Sequence, residues 1–225
     1  MKKTILLLHG ALGSKKQFSH LISTLDHNSD VHAINFSGHG GMEIKEAYSM
    51  KLFMENVNDY VAKNQLQNVH IFGYSMGGYV ALKLAASGAK FIQSISTLGT
   101  KFDWSEKATG KELKMLNPEK IEEKVPKFAA SLKTEHQGED WKKVVEQTAK
   151  MMLYLSQKEQ LRNSDLQKIN IPVTIALGDT DVMVSQAESQ WAVNHLPNAQ
   201  FKIIKNCPHP LTKVPIEAIK ELILI

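Results

Sequence analysis

The 225-residue chain holds one cysteine, Cys207, and one arginine, Arg162. A single thiol excludes an internal disulfide and fits a reducing compartment, so a cytoplasmic protein is expected. A single guanidinium excludes an arginine cluster, the usual means of gripping phosphates or carboxylates through paired hydrogen bonds. That weighs against a large polyanionic ligand. Apolar runs are also short. None reaches the roughly 20 residues that cross a bilayer, and no membrane partner is expected. The N-terminal run Ile5-Leu6-Leu7-Leu8 follows a basic start, as a secretory leader would, but stops at His9-Gly10 without a small-residue cleavage site. It reads as a first buried strand. Metal-ligand spacing of His, Cys and Asp is missing, and no Gly-x-Gly-x-x-Gly opens a helix after a strand. Neither a metal nor any other cofactor is expected.

What is present is the composition of a globular domain, 43% hydrophobic and 22% charged, long enough for one sizeable core. The net charge of +4 is a mild excess, and the lysines between Lys101 and Lys158 are interspersed with acids. This reads as a solvated helical surface, and no nucleic-acid partner is expected. Runs near-continuous in apolar or β-branched residues at Lys3–Leu8, Val31–Phe36, Val69–Tyr74, Ile92–Leu98, Val173–Leu177 and Phe201–Ile204 predict about six strands buried on both faces. Helical patterns lie between them at Lys16–Leu25, Ile44–Asn64, Gly77–Ser87, Ser185–Leu196 and Pro215–Leu224. The alternation predicts an α/β fold with a doubly wound, mainly parallel sheet. Sites in such folds gather at the carboxyl edge of the strands.

One stretch breaks the rhythm. From about Asp103 to Leu166 the pattern is helical, charged and amphipathic, at Lys111–Leu116, Pro118–Leu132 and Trp141–Leu161. Residues 1–102 and 167–225 are therefore expected to form the core, with 103–166 a lid of two to four helices over the carboxyl edge. Met151, Met152, Leu153, Tyr154 and Leu155 are read as the buried face of this lid, and Trp104 and Trp141 as core or rim.

Chemistry concentrates around Ser75. The run His70-Ile71-Phe72-Gly73-Tyr74-Ser75-Met76-Gly77-Gly78 carries an apolar strand into Gly-x-Ser-x-Gly and then a helix. A serine there can sit on a strained turn with its hydroxyl projecting from the sheet edge, provided Gly73 and Gly77 let the backbone pass. A neutral hydroxyl is a weak nucleophile and needs a base held in the right tautomer by a third group. His209, between Pro208 and Pro210 after the last strand, is the candidate base. Gly178-Asp179-Thr180-Asp181-Val182 supplies two candidate acids. Asp181 is favoured because it lies deeper in the loop beside Val182 and Val184, leaving Asp179 to cap a turn or the helix near Ser185. The turn His9-Gly10-Ala11-Leu12-Gly13 after the first strand could bring the Ala11 N–H beside that of Met76 as an oxyanion hole. His9 and His39 are read as turn-stabilising histidines, and Cys207 as a packed small apolar side chain.

The order Ser75, Asp181, His209, the His9-Gly10 turn and Phe36-Ser37-Gly38-His39-Gly40 together resemble the α/β-hydrolase superfamily over nearly all the chain outside the lid. The resemblance implies Ser75 as nucleophile, Asp181 as acid, His209 as base and the main-chain N–H groups of Ala11 and Met76 as oxyanion donors. The superfamily's Gly-x-x-Asp-x-x-Val pattern is met by Gly178, Asp181 and Val184. The chain departs from it in beginning at what would be the third strand, without the antiparallel edge strands, and in carrying Ser37 where many members have proline or arginine. Pro210-Leu211 also lacks the acidic neighbour that many members show after the histidine. The expected activity is a serine hydrolase of carboxylesterase type, cleaving a small ester or related acyl bond through an acyl-enzyme. Carbon–carbon bond hydrolysis or proton-abstraction lyase chemistry is the alternative. The His9-to-Ser14 turn is similar to that of small menaquinone-pathway members, but those hold carboxylate-rich substrates with arginines. A non-catalytic small-molecule receptor is the third reading.

Overall fold

The computed structural model describes residues 2–25 and 29–224. Six strands form, β1 (Lys3–Leu8), β2 (Ser29–Ile34), β3 (Val69–Tyr74), β4 (Ile92–Leu98), β5 (Val173–Gly178) and β6 (Ala199–Ile204). They lie side by side in the order β2-β1-β3-β4-β5-β6, with every pairing parallel. This is the α/β-hydrolase fold anticipated above. β1, β3 and β5 are apolar on both faces because both faces are covered. Leu6 and Leu8 of β1 enter one core, while Ile5 and Leu7 enter the other. Full burial of each such side chain contributes about 1.5–3 kcal/mol, which fixes register, since a one-residue slip would exchange the two faces.

β2 is set two residues earlier than expected, because its register runs from Lys3↔Ser29 to Leu8↔Ile34. Phe36 lies beyond the strand yet stays buried by stacking on Phe53, with ring centroids 4.8 Å apart. On the flanks, a 3-10 turn at Lys15–Phe18 leads into α1 (Ser19–Thr24), followed by α2 (Met50–Lys63) and α3 (Met76–Ala86). The pattern beginning at Ile44 overestimates α2. Extended Ser49 ends the preceding loop and its hydroxyl accepts the Leu52 N–H at 3.1 Å, a cap that starts the helix at Met50.

Between β4 and β5 the chain makes α4 (Glu106–Met115), α5 (Pro118–Lys124), α6 (Pro126–Glu135), α7 (Trp141–Tyr154) and α8 (Asn163–Leu166). The single helix expected over 118–132 is two, because Pro126 has no N–H to continue the first and its ring suits the first turn of the second. The helix expected to reach Leu161 ends at Tyr154 and relaxes into a π-type turn over Leu155–Glu159. Ile121, Ala129, Leu132, Trp141 and Val145 give these helices a small core of their own, and Leu12 from the loop after β1 packs against it. α9 (Gln186–His195) and α10 (Ile216–Ile223) complete the layers.

The order of strands fixes where a site can form. From β1 the chain goes outward to β2, and from β3 it goes the other way to β4, β5 and β6. The loops after β1 and β3 therefore diverge and leave a crevice between the carboxyl ends of two neighbouring strands. His9-to-Gly13 and Ser75 stand at that crevice.

Candidate active site

Ser75 has φ 49° and ψ −115°, backbone that a side-chain-bearing residue adopts at a cost of order 1–3 kcal/mol. Its neighbours hold it there. The Ser75 N–H donates to the Leu98 carbonyl at 2.8 Å, and its own carbonyl accepts from the Gly78 N–H at 3.1 Å and the Thr100 hydroxyl at 3.0 Å. The two motif glycines are needed for close approach. A Cβ at Gly77 would run into the Leu8 carbonyl of β1, and one at Gly73 into the backbone of Gly78. α3 can thus start directly beneath the serine.

His209 follows β6 between its two prolines, and its Nδ1–H donates to Asp181 Oδ2 at 2.7 Å. The other oxygen, Oδ1, accepts from the Met183 and Val184 N–H groups at 2.8 and 3.0 Å. Burial alone would raise the Asp181 carboxyl, but the hydrogen bond and charge of His209 and the two main-chain donors outweigh it and hold the pKa below the usual carboxylate value. An ionised partner at Nδ1 fixes the tautomer and leaves Nε2 with a free lone pair. The two side chains are 10% and 2% exposed, so the ring keeps only a narrow opening to solvent. Asp179 is the turn-holding acid of the pair. Its Oδ1 accepts the Cys207 N–H at 3.2 Å and ties the β5 loop to the segment before His209. It does not cap the following helix; Ser185 and Glu188 do that reciprocally.

The turn after β1 presents main-chain donors. The N–H groups of Ala11 and Met76 are not taken up by a hydrogen bond to any described residue. His9 explains the orientation of the first. Its Nε2 accepts the Phe36 N–H at 3.1 Å, so its proton is on Nδ1, which donates to the Gly10 carbonyl at 2.8 Å. That carbonyl and the Ala11 N–H belong to one planar trans peptide, so fixing one aims the other the opposite way. Burial of the His9 ring lowers its pKa to about 4 and keeps it neutral. His39 likewise bonds the main chain, at the Ser37 carbonyl. Cys207 is packed in the second core, and burial raises its thiol pKa.

Ser75 and His209 face one cavity of about 990 Å³, together with Ala11 and Met76. Trp104, Met151, Met152 and Leu155 line it, as do Lys16, Gln17, His20 and Thr212. Of the residues expected to form an inward apolar face, Met151 and Leu155 are buried, whereas Leu153 and Tyr154 are exposed. Lys101 is paired with Glu112 at 3.3 Å within the wall, so this cation is already neutralised.

Three supporting residues escape sequence reasoning. Tyr74 donates its hydroxyl to the His209 carbonyl at 2.9 Å. Thr100 holds the Ser75 carbonyl, as above. Gly99, at φ +63°, is disfavoured for any side chain, because a Cβ would crowd the His209 ring at 3.2 Å and Asp181 Oδ2 at 3.3 Å and push them aside by a few tenths of an ångström. A glycine directly after a strand that precedes an insertion is the one available signal, and it is weak.

The chain resembles known proteins over different lengths. It is 20% identical to pimeloyl-[acyl-carrier protein] methyl ester esterase of Nitrosomonas europaea over 91% of its own length and 88% of that protein. Several other curated relatives match only in part. A probable alcohol acetyltransferase of Cyberlindnera jadinii is 31% identical across 42% of this chain, and the chain spans only 28% of that protein. Among solved structures, a putative lipase from Acinetobacter baumannii superposes with a TM-score of 0.80 at 20% identity, covering 98% of this chain and 81% of that one. MenH from S. aureus superposes at 0.79 and 19% identity, covering 99% and 92%. The family described as serine aminopeptidase, S33, matches residues 1–213. The chain belongs to that family, within the α/β-hydrolase superfamily of hydrolases.

Proposed function

We propose that the protein is a serine hydrolase that cleaves a carboxylic ester through an acyl-enzyme. Ser75 attacks the carbonyl as His209 Nε2 takes its proton, and Asp181 stabilises the imidazolium that forms. The Ala11 and Met76 N–H groups receive the negative charge on the carbonyl oxygen. His209 then returns the proton to the departing alcohol, and in the second half activates a water that releases the acid. The observation that carries this reading is the fixed tautomer. The Asp181–His209 bond leaves Nε2 unprotonated on a ring that shares a cavity with a strained serine. Residues 103–166 would act as the lid, since they supply Trp104, Met151, Met152 and Leu155 to the cavity wall.

The cavity favours an apolar acyl group over a carboxylate-rich one. Of the two lysines that line it, Lys101 is half-buried and paired with Glu112 and Lys16 is solvent-exposed, and Arg162 does not line it. This weighs against the proton-abstraction alternative and supports the esterase reading, as do the esterase and lipase names of the relatives. A cytoplasmic location is proposed on the single buried thiol.

The test is labelling with a fluorophosphonate probe, with Ser75→Ala beside the wild type. Labelling of the wild type that is lost in the folded variant is expected. Equal labelling of both would remove Ser75 from the reaction. A series of p-nitrophenyl esters then ranks acyl length, with turnover of a vinylogous diketone as the competing activity.

A further inference from the structure

The donor at Ala11 is one end of a longer chain of hydrogen bonds. Its peptide partner, the Gly10 carbonyl, accepts not only from His9 but from the Gly13 N–H at 3.2 Å. That N–H shares a peptide unit with the Leu12 carbonyl, which accepts from His136 Nε2 at 3.1 Å. The direction of the last bond is settled by the other ring nitrogen. Nδ1 accepts the Gly40 N–H at 3.0 Å, and a main-chain N–H can only donate. A neutral His136 therefore carries its proton on Nε2. Burial lowers the pKa of this enclosed ring, which favours the neutral form.

We propose that His136 is a positioning residue for the oxyanion hole, orienting and polarising the Ala11 N–H through the Leu12–Gly13 and Gly10–Ala11 peptide units. The idea rests on the reading of Ser75 as nucleophile and Ala11 as oxyanion donor. Hydrogen bonds in series strengthen one another, by about 10–30% per bond in condensed phase, so a donor at the far end makes Ala11 a better one. Orientation matters as much. Leu12 has φ 58°, a region that residues with side chains rarely occupy, and an outside partner on its carbonyl helps hold it there. His136 lies at the end of α6, 124 residues from Leu12, so the turn depends on the docked insertion. Other contacts fix the same segment. Glu135 accepts from the Ser14 hydroxyl, and Glu139 accepts the Ile44 N–H at 2.9 Å. Losing the histidine should therefore leave the insertion in place.

Two substitutions separate the nitrogens. His136→Asn keeps an acceptor near Nδ1 for Gly40 but cannot reach Leu12. His136→Gln places an amide N–H near Nε2 and gives up the Gly40 contact. With a p-nitrophenyl ester, the asparagine variant should lose about tenfold or more in kcat with KM within about twofold, because the oxyanion forms only in the transition state. The glutamine variant should recover most of that loss, and affinity for phenylboronic acid, which mimics the tetrahedral state, should track kcat across the series. Equal losses in both variants, an unchanged asparagine variant, or a loss carried by KM would each overturn the relay. A measurement on the wild type needs no variant to fold. On adding phenylboronic acid, the Ala11 and Gly13 amide protons and the His136 Nε2 proton should shift downfield together by NMR, and movement of Ala11 alone refutes the proposal. Failure of the underlying reading is seen separately, as undiminished probe labelling of Ser75→Ala.

Discussion

Asp181→Asn tests how the candidate base is held. In the structure Asp181 Oδ1 serves two main-chain donors, at 2.8 and 3.0 Å, and Oδ2 serves His209 Nδ1 at 2.7 Å. The amide can keep its carbonyl toward Met183 and Val184, so the loop should survive. Its nitrogen then faces the imidazole as a donor, and Nδ1 must become the acceptor. The ring proton moves to Nε2, which can no longer take the serine proton. An inversion of this kind costs on the order of 10⁴ in kcat, with KM nearly unchanged because the carboxylate does not touch substrate. Stability should fall by only about 1–2 kcal/mol at neutral pH, since a charged hydrogen bond is replaced by a neutral one. The sign of the pH dependence follows from the lowered carboxyl pKa. The stabilisation is complete above the ordinary carboxyl value of 3.8 and is lost as pH falls through the lower folded value. The gap in Tm between wild type and variant should thus narrow on acidification below about pH 4. Asp179→Asn is the control. It keeps an acceptor for the Cys207 N–H and should retain kcat within a few-fold. Steady-state kinetics with a p-nitrophenyl ester, and thermal melts across pH, supply the readings. An Asp181→Asn enzyme with more than about a tenth of wild-type kcat, or an inactive Asp179→Asn, would refute the assignment of the acid.

Other expectations follow from the same geometry. Gly77→Ala pushes a methyl group into the Leu8 carbonyl and should lower stability by several kcal/mol, or prevent folding, as judged by urea unfolding. Gly99→Ala places a methyl against the Asp181–His209 pair at φ +63°; a loss of about 1–2 kcal/mol and a marked fall in kcat are expected, and wild-type kinetics would refute it. Trp104→Ala enlarges the cavity and should move the preferred ester toward longer chains; an unchanged chain-length profile would show that Trp104 does not bound the acyl group. His9 is stabilising when neutral, with its pKa lowered from 6.5 to about 4 by burial, so its contribution is complete above 6.5, declines as pH falls below that value and is lost once pH has fallen through about 4. Between pH 7 and 5 the wild type should lose about 2 kcal/mol that His9→Asn does not, measured as the difference in slope of unfolding free energy against pH.

The strands were legible because short runs rich in apolar and β-branched residues between turns, such as Val69–Tyr74, can be little else; burial on both faces holds for the inner strands, whereas the edge strands β2 and β6 are only partly covered and β4 carries Gln93, Ser94 and Ser96. Element ends were less so. The start of α2 at Met50 depends on a cap made by Ser49, and the break at Val125 on a proline whose effect the amphipathic pattern around it concealed.

Order along the chain determined the candidate serine, acid and base, because loops at one edge of a parallel sheet converge whatever lies between them, and the preference for Asp181 over Asp179 came from its deeper place in the loop beside Val182 and Val184. Tertiary structure alone decided what Asp179 holds, why residue 99 favours glycine and which histidine reaches Leu12. Each of those is a contact between segments far apart in the chain, and the short-range preferences of a polypeptide carry no record of what will lie a few ångströms away once the sheet has closed.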